Sequence, residues 1–236
     1  MNEDRSKQMQ QLQVIAHIRS PFRTKFGIPR QSGLSDISAK IVMEPEFRNP
    51  EAFRGISDYS HLWLIWQFSE ALRDRWTPTV RPPRLGGNQR MGVFATRSPF
   101  RPNSLGLSSV KLEKVDLHTS DGPVLTVSGA DLMDGTPIYD IKPYLSFTDS
   151  HPDAIGGFSD IVRDKCLSVR LLPNLEQLLG EEEKRGLIAV LQNDPRPAYQ
   201  QDPHRIYGFL FGEKEIKFRV EADLLTVLDI SEKEKN

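Results

Sequence analysis

The sequence predicts a mainly β fold, either a barrel or a sandwich, followed by a smaller α+β unit. Short runs rich in Val, Ile, Leu and aromatic residues dominate residues 12–130, and Gly, Pro, Asp or Asn bounds each of them. Helical periodicity is scarce in this part, and many strands without intervening helices argue against a parallel, doubly wound sheet. After about residue 170, leucines recur at helical spacing and short strands follow.

The predicted strands of the first part follow one another at short intervals. They cover residues 12–18, 39–43, 61–68, 91–96, 105–115 and 124–130. Among them, only residues 50–56 resemble a short helix. Their first residue is a proline, which the first turn of a helix accepts. The segment Asp134-Gly135-Thr136-Pro137 predicts a turn before one more strand. On that strand Asp140 and Lys142 are two residues apart, so we expect them on the same face.

The last part of the chain predicts helices and a hairpin. The leucines of residues 174–194 have the spacing of one or two amphipathic helices interrupted near Gly180. Strands are expected at 206–211, 215–221 and 224–230, and the glycine between the first two indicates a hairpin turn. We therefore divide the chain into a β domain over residues 1–170 and a small α+β domain over residues 171–236.

Composition and charge exclude several classes of protein. The 236 residues carry a net charge of -1, so attraction to nucleic acid requires a local patch. The single cysteine, Cys166, excludes an internal disulfide and is expected to be a buried apolar filler. The five histidines show no metal-ligand spacing, so we expect no metal. The polar N-terminus and the short apolar run 61–68 predict a cytoplasmic protein without a membrane segment.

Arginines are concentrated in the middle of the chain. No Asp or Glu occurs between Arg75 and Lys111, and the arginines there alternate with Pro and Gly, as in binding loops. Arginine suits a fork-like grip on phosphate or carboxylate. Pro99 and Pro102 stiffen this segment and so reduce the entropy that it loses when it binds an anion. We predict an anion-binding segment; the alternative is a solvated surface strip whose prolines only end a strand.

Common nucleotide motifs are missing. No G-x-G-x-x-G occurs, and "GNQRMG" (87–92) lacks the Lys-Ser/Thr pair that a phosphate-binding loop requires. His61 begins an apolar strand, and a histidine at such a position is more often a hydrogen-bonded core residue than a functional one.

Three stretches nevertheless resemble one family. "GVFATRSPFRPNSLGLS" (92–108), "PRQSGL" (29–34) and "DLMDGTPIYDIKPYL" (131–145) are similar to the motifs of the TsaA-like family of S-adenosylmethionine-binding β-barrels. "DPRPAYQ" (194–200) and its hairpin resemble the C-terminal extension of one branch, bacterial tRNA methyltransferases acting on N6-threonylcarbamoyladenosine beside the anticodon. The resemblance covers nearly the whole chain. Ser104-Leu105 departs from the Pro-Ile of many members, but neither residue supplies charge.

The resemblance implies a small β-barrel methyltransferase without a Rossmann sheet, which binds S-adenosylmethionine, acts on tRNA and is usually a homodimer. Its motifs imply a set of cofactor-binding residues: Pro29, Arg30, Gln31, His61, Leu62, Arg97, Leu107, Asp134, Gly135, Thr136 and Pro137. For His61, this replaces the interpretation as a core histidine.

Chemistry suggests roles within this set and beyond it. Arg97 is expected to hold the carboxylate of the donor, and Asp134 its ammonium group or ribose hydroxyls. The acceptor N6 belongs to a urea-like group and is a poor nucleophile while protonated, so a nearby proton acceptor is expected. The candidates are Asp140, Tyr139 and His61. For substrate binding we expect four residues: Arg90, Arg101, Asn103 and Lys142.

Three other interpretations stay open at this point. A non-enzymatic RNA-binding β-barrel would use the basic loops without a donor site. A methyltransferase could instead act on a small molecule or a protein. Residues 174–236 could serve only in dimerisation.

Overall fold

A computed structural model describes residues 11–85, 88–162, 166–196 and 202–232. Its strands are β1 (Ala16–Arg19), β2 (Ser38–Met43), β3 (His61–Gln67), β4 (Thr79–Val80), β5 (Met91–Gly92), β6 (Leu105–Thr119), β7 (Gly122–Ser128), β8 (Pro137–Pro143), β9 (Ser168–Arg170), β10 (Tyr207–Phe211), β11 (Lys214–Glu221) and β12 (Leu224–Glu232). Its α-helices are α1 (Ser146–Asp149), α2 (Pro173–Glu176) and α3 (Glu181–Gln192).

Six antiparallel strands close into a barrel in the order β1-β2-β7-β6-β3-β8. Strand β3 shows why: Leu62, Leu64 and Trp66 point inward and are almost fully buried, while the residues between them are partly exposed. This two-residue alternation is the pattern of a half-buried strand. The predicted mainly β class is therefore confirmed, and closure selects the barrel over the sandwich.

The second core lies between α3 and a four-stranded sheet of order β10-β11-β12-β9. The predicted interruption near Gly180 is confirmed, because that residue is the N-cap of α3. Strand β9 pairs in parallel with β12, although it precedes residue 171 in sequence. Phe22 and Ile37, from the connection between β1 and β2, also pack into this second core. The connection therefore joins both parts of the protein.

Four local expectations are wrong or incomplete. The predicted strand 91–96 is only two residues long, because Val93–Ala95 form a 3₁₀ turn that Thr96 closes through its hydroxyl and Val93 O at 2.9 Å. The stretch 50–56 forms 3₁₀ turns, not an α-helix. Within 12–18, strand geometry begins only at Ala16. Cys166 is exposed, since the side chain that enters the core at the start of β9 is the next one, Leu167.

Two kinds of feature are absent from residues 11–85, 88–162, 166–196 and 202–232. No group of three or more His, Cys, Asp or Glu side chains in those ranges lies close enough to hold a metal ion. None of the helices there has the length and apolar character to cross a membrane. Gly87 of the phosphate-loop-like segment and residues 197–200 of the "DPRPAYQ" segment lie outside the described residues.

Candidate active site

A cleft of about 720 Å³ lies against one side of the barrel. Its walls come from the 28–32 loop, the adjoining ends of β3 and β6, the 97–103 loop and the segment before β8. Of the predicted cofactor- and substrate-binding residues, eight line it: Pro29, Arg30, Gln31, Arg97, Arg101, Asn103, Leu107 and Thr136. Three motifs that are far apart in sequence thus form one cavity, and its volume is typical of a small-molecule site.

Backbone hydrogen bonds hold the loops in place. Gly33 N donates to Gly129 O over 2.8 Å, which anchors the 28–32 loop to the end of β7. Gly135 has a φ of 77°, a conformation that glycine adopts without strain, and its N–H donates to Ile18 O. This left-handed turn aims β8 back along β1 and leaves Thr136 in the wall of the cleft.

A hydrogen-bonded chain runs from the barrel interior to the cleft. Trp66 Nε1 donates to Ser108 Oγ over 2.9 Å, and Ser108 Oγ donates to Asp131 Oδ1 over 2.5 Å. Trp66 and Ser108 are buried, and the edge of Trp66 lines the cleft together with Asp131. Burial raises the pKa of Asp131 above its ordinary value, although the hydrogen bond from Ser108 opposes that rise. The cleft therefore contains an oriented carboxyl group with enhanced basicity.

Positive charge lies close to this carboxyl group. Arg97 is exposed at the rim, its guanidinium donates to Gln31 Oε1, and its charge acts on Asp131. Arg97 and Gln31 come from two of the motifs, so their contact ties the 97–103 loop to the 28–32 loop. Leu107 lies beside them on β6 and is 58% exposed, which leaves an apolar surface facing the cavity.

Arg30 points from the cleft wall toward the C-terminal part of the chain. Its guanidinium donates to the carbonyl oxygens of Asp194 and Arg196, over 2.5 and 3.2 Å. Arg196 in turn forms a two-pronged ion pair with the Asp194 carboxylate. This contact joins "PRQSGL" to the beginning of "DPRPAYQ".

The remaining motif residues lie around the cleft without lining it. Leu62 is fully buried inside the barrel, and the His61 ring lies beside Ser60 and Tyr144. Asp134 accepts hydrogen bonds from the Ser20 amide and from Arg23, on the far side of the turn from Thr136. Gly135 and Pro137 complete that turn and the start of β8.

Asp140 and Tyr139, two of the predicted proton acceptors, lie on β8. Asp140 Oδ2 forms a salt bridge with Lys142 Nζ at 2.7 Å, which confirms their shared face, and neither residue lines the cleft. Tyr139 donates its hydroxyl proton to Gln67 Oε1 over 2.6 Å, and burial raises its pKa. A phenol that is already donating is a poor proton acceptor. Arg90 lies outside the cleft, beside Thr79.

A second cavity of about 920 Å³ adjoins the cleft. The two cavities share five lining residues: Gln67, Ala71, Arg101, Asn103 and Leu105. Tyr139 lines the second cavity, and so does the exposed segment 72–76, which includes Trp76. The predicted substrate-binding residues Arg101 and Asn103 therefore stand on the ridge between two connected spaces.

Several residues of these two cavities are not among those that the sequence predicts. Asp131 begins the "DLMDGTP" motif, but Asp134 is the acid that the turn pattern singles out. Strand β3 buries Trp66, yet the partner of its indole N–H is defined only by the pairing of β3 with β6. Phe94 is predicted within a strand and Trp76 carries no signal in the sequence, although both rings are well exposed.

Comparisons with known proteins match both parts of the chain. The model of the tRNA-methyltransferase O N-terminal domain matches residues 17–150, and that of its C-terminal domain matches residues 164–233. A tRNA (adenine(37)-N6)-methyltransferase of Escherichia coli is 40% identical over 89% of this chain and 93% of its own length. A Pseudomonas aeruginosa protein, RcsF, whose name provisionally assigns it S-adenosylmethionine-dependent methyl transfer, is 39% identical over 92% of this chain and 96% of its own.

Solved structures agree with the sequence matches. A crystal structure of TrmO from Pseudomonas aeruginosa superimposes with a TM-score of 0.77 and 31% identity, and the match covers 97% of this chain and 100% of that chain. The resemblance in sequence therefore extends to the barrel and the C-terminal sheet together.

Proposed function

The chain belongs to the tRNA-methyltransferase O family, and on that premise we propose that the cleft holds S-adenosylmethionine next to the adenosine that is methylated. The chain is an enzyme, a tRNA methyltransferase that depends on S-adenosylmethionine and acts at N6 of adenine 37. In our proposal the accepting base carries an N6-threonylcarbamoyl group. The observation that supports the site is the chain Trp66–Ser108–Asp131, which directs a carboxyl group into the cleft.

The residues of the cleft fit the donor. S-adenosylmethionine has an adenine, a ribose and an amino acid head that bears both a carboxylate and an ammonium group. The cleft offers apolar surface from Ile28, Pro29 and Leu107 for the ring and an exposed arginine fork, that of Arg97, for the carboxylate. Backbone groups of the 28–32 loop edge the same space. When bound, the donor supplies an electrophilic methyl group on sulfur.

In this proposal Asp131 is the proton acceptor. The acceptor N6 is flanked by a urea-like carbonyl, so its lone pair attacks poorly until the N–H is polarised or removed. A carboxylate whose pKa is raised by burial is a stronger base than an ordinary aspartate, and Ser108 fixes its orientation. Alignment of the two reactants in one cavity supplies the rest of the acceleration.

Arg101 binds the threonyl carboxylate of the acceptor. It stands on the ridge between the two cavities, where its Nη1 donates to Thr96 O over 3.0 Å and leaves other donors for a ligand. Asn103 is beside it on the same ridge. Arg90 and Lys142 lie farther out, at positions suited to the phosphate backbone.

Family membership sets aside two of the earlier alternatives. A purely RNA-binding barrel has no need of a donor site, and a methyltransferase for small molecules or proteins differs from the tRNA enzymes to which the chain is similar. We further propose that the protein is a homodimer and acts in the cytoplasm, where tRNA is modified. Light scattering of the purified protein tests the first of these, and cell fractionation tests the second.

The test of the proposed function is methyl transfer with labelled S-adenosylmethionine. Purified protein is mixed with tRNA that either carries or lacks the threonylcarbamoyl group. Label that enters only the modified tRNA supports the acceptor as proposed. Equal labelling of both pools, or no labelling of either while calorimetry shows donor binding, contradicts the acceptor and leaves the donor site intact.

A further inference from the structure

The second cavity opens beside the reaction cleft on an unusually aromatic and basic surface. Trp76 is 49% exposed and Phe94 is 72% exposed. Their rings stack with 6.2 Å between the ring centroids and an interplanar angle of 30°. Trp76 also lines the cavity. Two exposed aromatic rings in contact form an apolar patch, and such patches often mark binding sites.

The charge around these rings is positive. Arg73 lies with its guanidinium 3.4 Å from the centre of the Phe100 ring, and Arg75 and Arg101 line the same cavity. Within the described ranges of the chain, none of these three arginines forms a salt bridge with a carboxylate, and Asp74 is the only acidic residue in the cavity lining. The surface therefore combines flat apolar faces with unneutralised cations.

We propose that the second cavity and the Trp76–Phe94 pair form a binding site for single-stranded RNA, in which an unpaired base next to the methylated adenosine stacks on Trp76. This inference rests on the proposed function, because it assigns a place to the anticodon loop of the tRNA. Unpaired bases in RNA loops are recognised by stacking on aromatic side chains and arginine planes, and their phosphates by arginine.

The arrangement of the two cavities supports this occupant. They share the ridge of Gln67, Arg101 and Asn103, so a nucleotide in the second cavity is directly linked to the acceptor in the cleft. Tyr139 holds Gln67 in place through a 2.6 Å hydrogen bond from within the second cavity. An RNA occupant is favoured over a protein partner, because the cavity adjoins the proposed site of the methylated base and its three lining arginines can pair with phosphates.

The experiment compares Trp76→Ala, Phe94→Ala and Trp76→Phe with Phe147→Ala as the matched control. Phe147 is 86% exposed and lines neither cavity, so its removal reports the general cost of deleting a surface ring. The substrate is an anticodon stem-loop RNA with the threonylcarbamoyl modification. We expect about a tenfold rise in KM for the RNA with the alanine variants, since one stacked base contributes roughly that factor. Trp76→Phe keeps most of the affinity.

Three further measurements make the result decisive. The Kd for S-adenosylmethionine and the mass by light scattering are expected to stay unchanged, and Arg75→Ala is expected to reduce the dependence of RNA affinity on salt. An unchanged KM, or a change in mass that identifies the rings as a contact between protein copies, would overturn the proposal. Failure of the proposed function looks different: the wild type would then transfer no methyl group to RNA, whereas stem-loop binding could still be compared among the variants.

Discussion

The guanidinium of Arg30 donates to the backbone carbonyl of Asp194 over 2.5 Å, a contact between residues 164 positions apart. Arg30 stands in the wall of the cleft, and Asp194 begins the segment that leads from α3 to the C-terminal hairpin. Asp194 has a φ of 48°, an uncommon value for a residue with a side chain. The C-terminal part of the chain thus supports one wall of the reaction cleft through this contact.

We expect Arg30→Ala to weaken both the fold and donor binding. The hydrogen bonds from a charged donor contribute about 1–2 kcal/mol, and their loss leaves the carbonyl oxygens of Asp194 and Arg196 without these donors. Thermal unfolding and calorimetry with S-adenosylmethionine measure the two effects. Arg185→Ala, an exposed arginine on α3, is the control. Loss of donor affinity with an unchanged melting temperature would instead indicate a direct contact between Arg30 and the donor.

Asp131→Asn should lower kcat by about 100-fold or more while donor affinity changes little, because a proton acceptor contributes that much to a transfer of this kind. In the wild type, activity should decline as pH falls through the pKa of Asp131, at a higher pH than an ordinary aspartate allows. Steady-state kinetics from pH 5 to 9 test this (about the usable range for such assays). A variant with normal kcat would show that the proton leaves by another route.

Asp131→Asn is expected to leave the fold as stable as that of the wild type or more stable, although it lowers activity. The folded-state pKa of Asp131 is raised, so the folded protein binds this proton more tightly than the unfolded chain, and stability is lost as pH rises through the folded pKa. Asparagine carries no charge and can still accept from Ser108. We therefore expect Asp131→Asn to melt at the same or a higher temperature than the wild type at pH 8. A markedly lower melting temperature would mean that the ionised carboxylate is structurally required.

Gly106→Ala should disturb the cleft through Trp66. A methyl group at residue 106 would clash with the Trp66 ring. That ring is rigid and buried, and its centroid lies 4.3 Å from that of the Phe68 ring. Overpacking of this kind costs about 1–3 kcal/mol, and a displaced indole releases Ser108 and with it Asp131. Gly92→Ala is the matched control, because a methyl group there meets nothing within 4 Å. Equal melting temperatures and equal kcat for the two variants would refute the clash.

Glu183→Gln should destabilise the C-terminal part in a pH-dependent way. Lys214 Nζ lies 2.9 Å from Glu183 Oε1 and lowers the pKa of that carboxyl group. A lowered folded-state pKa stabilises the fold above the unfolded pKa, and this contribution is lost as pH falls through the folded value. We expect the free energy of unfolding to fall by about 0.5–1 kcal/mol at pH 7, since the carboxylate is partly exposed, and by less at about pH 3, where more of the carboxylate is protonated.

The control for that prediction is Glu182→Gln. Glu182 is an exposed acid in the same first turn of α3, so it shares the favourable end of the helix dipole but lacks the lysine. Urea unfolding at the two pH values measures both variants. If Glu182→Gln cost as much as Glu183→Gln, the helix end and not the ion pair would be responsible.

Strands and helices whose pattern comes from one-sided burial are encoded locally in the chain. The alternation along β3 and the leucine spacing of α3 follow from the need to hide one face from water, and both elements form where the pattern predicts them. The turn at Gly135 is equally visible in the sequence, because few residues other than glycine adopt its φ without strain. The length and specificity of the central motif likewise identify the family from the amino-acid sequence alone.

The pairing of polar side chains, in contrast, depends on the tertiary structure. Asp131 and Asp134 are three residues apart in one motif, yet the first lines the cleft and the second pairs with Arg23 outside it. Arg30 reaches residues 194 and 196, and Trp66 reaches Ser108 on the neighbouring strand β6. Such pairings depend on which strands pair and on loop direction. Both are set by contacts between segments distant in sequence, which no local pattern records.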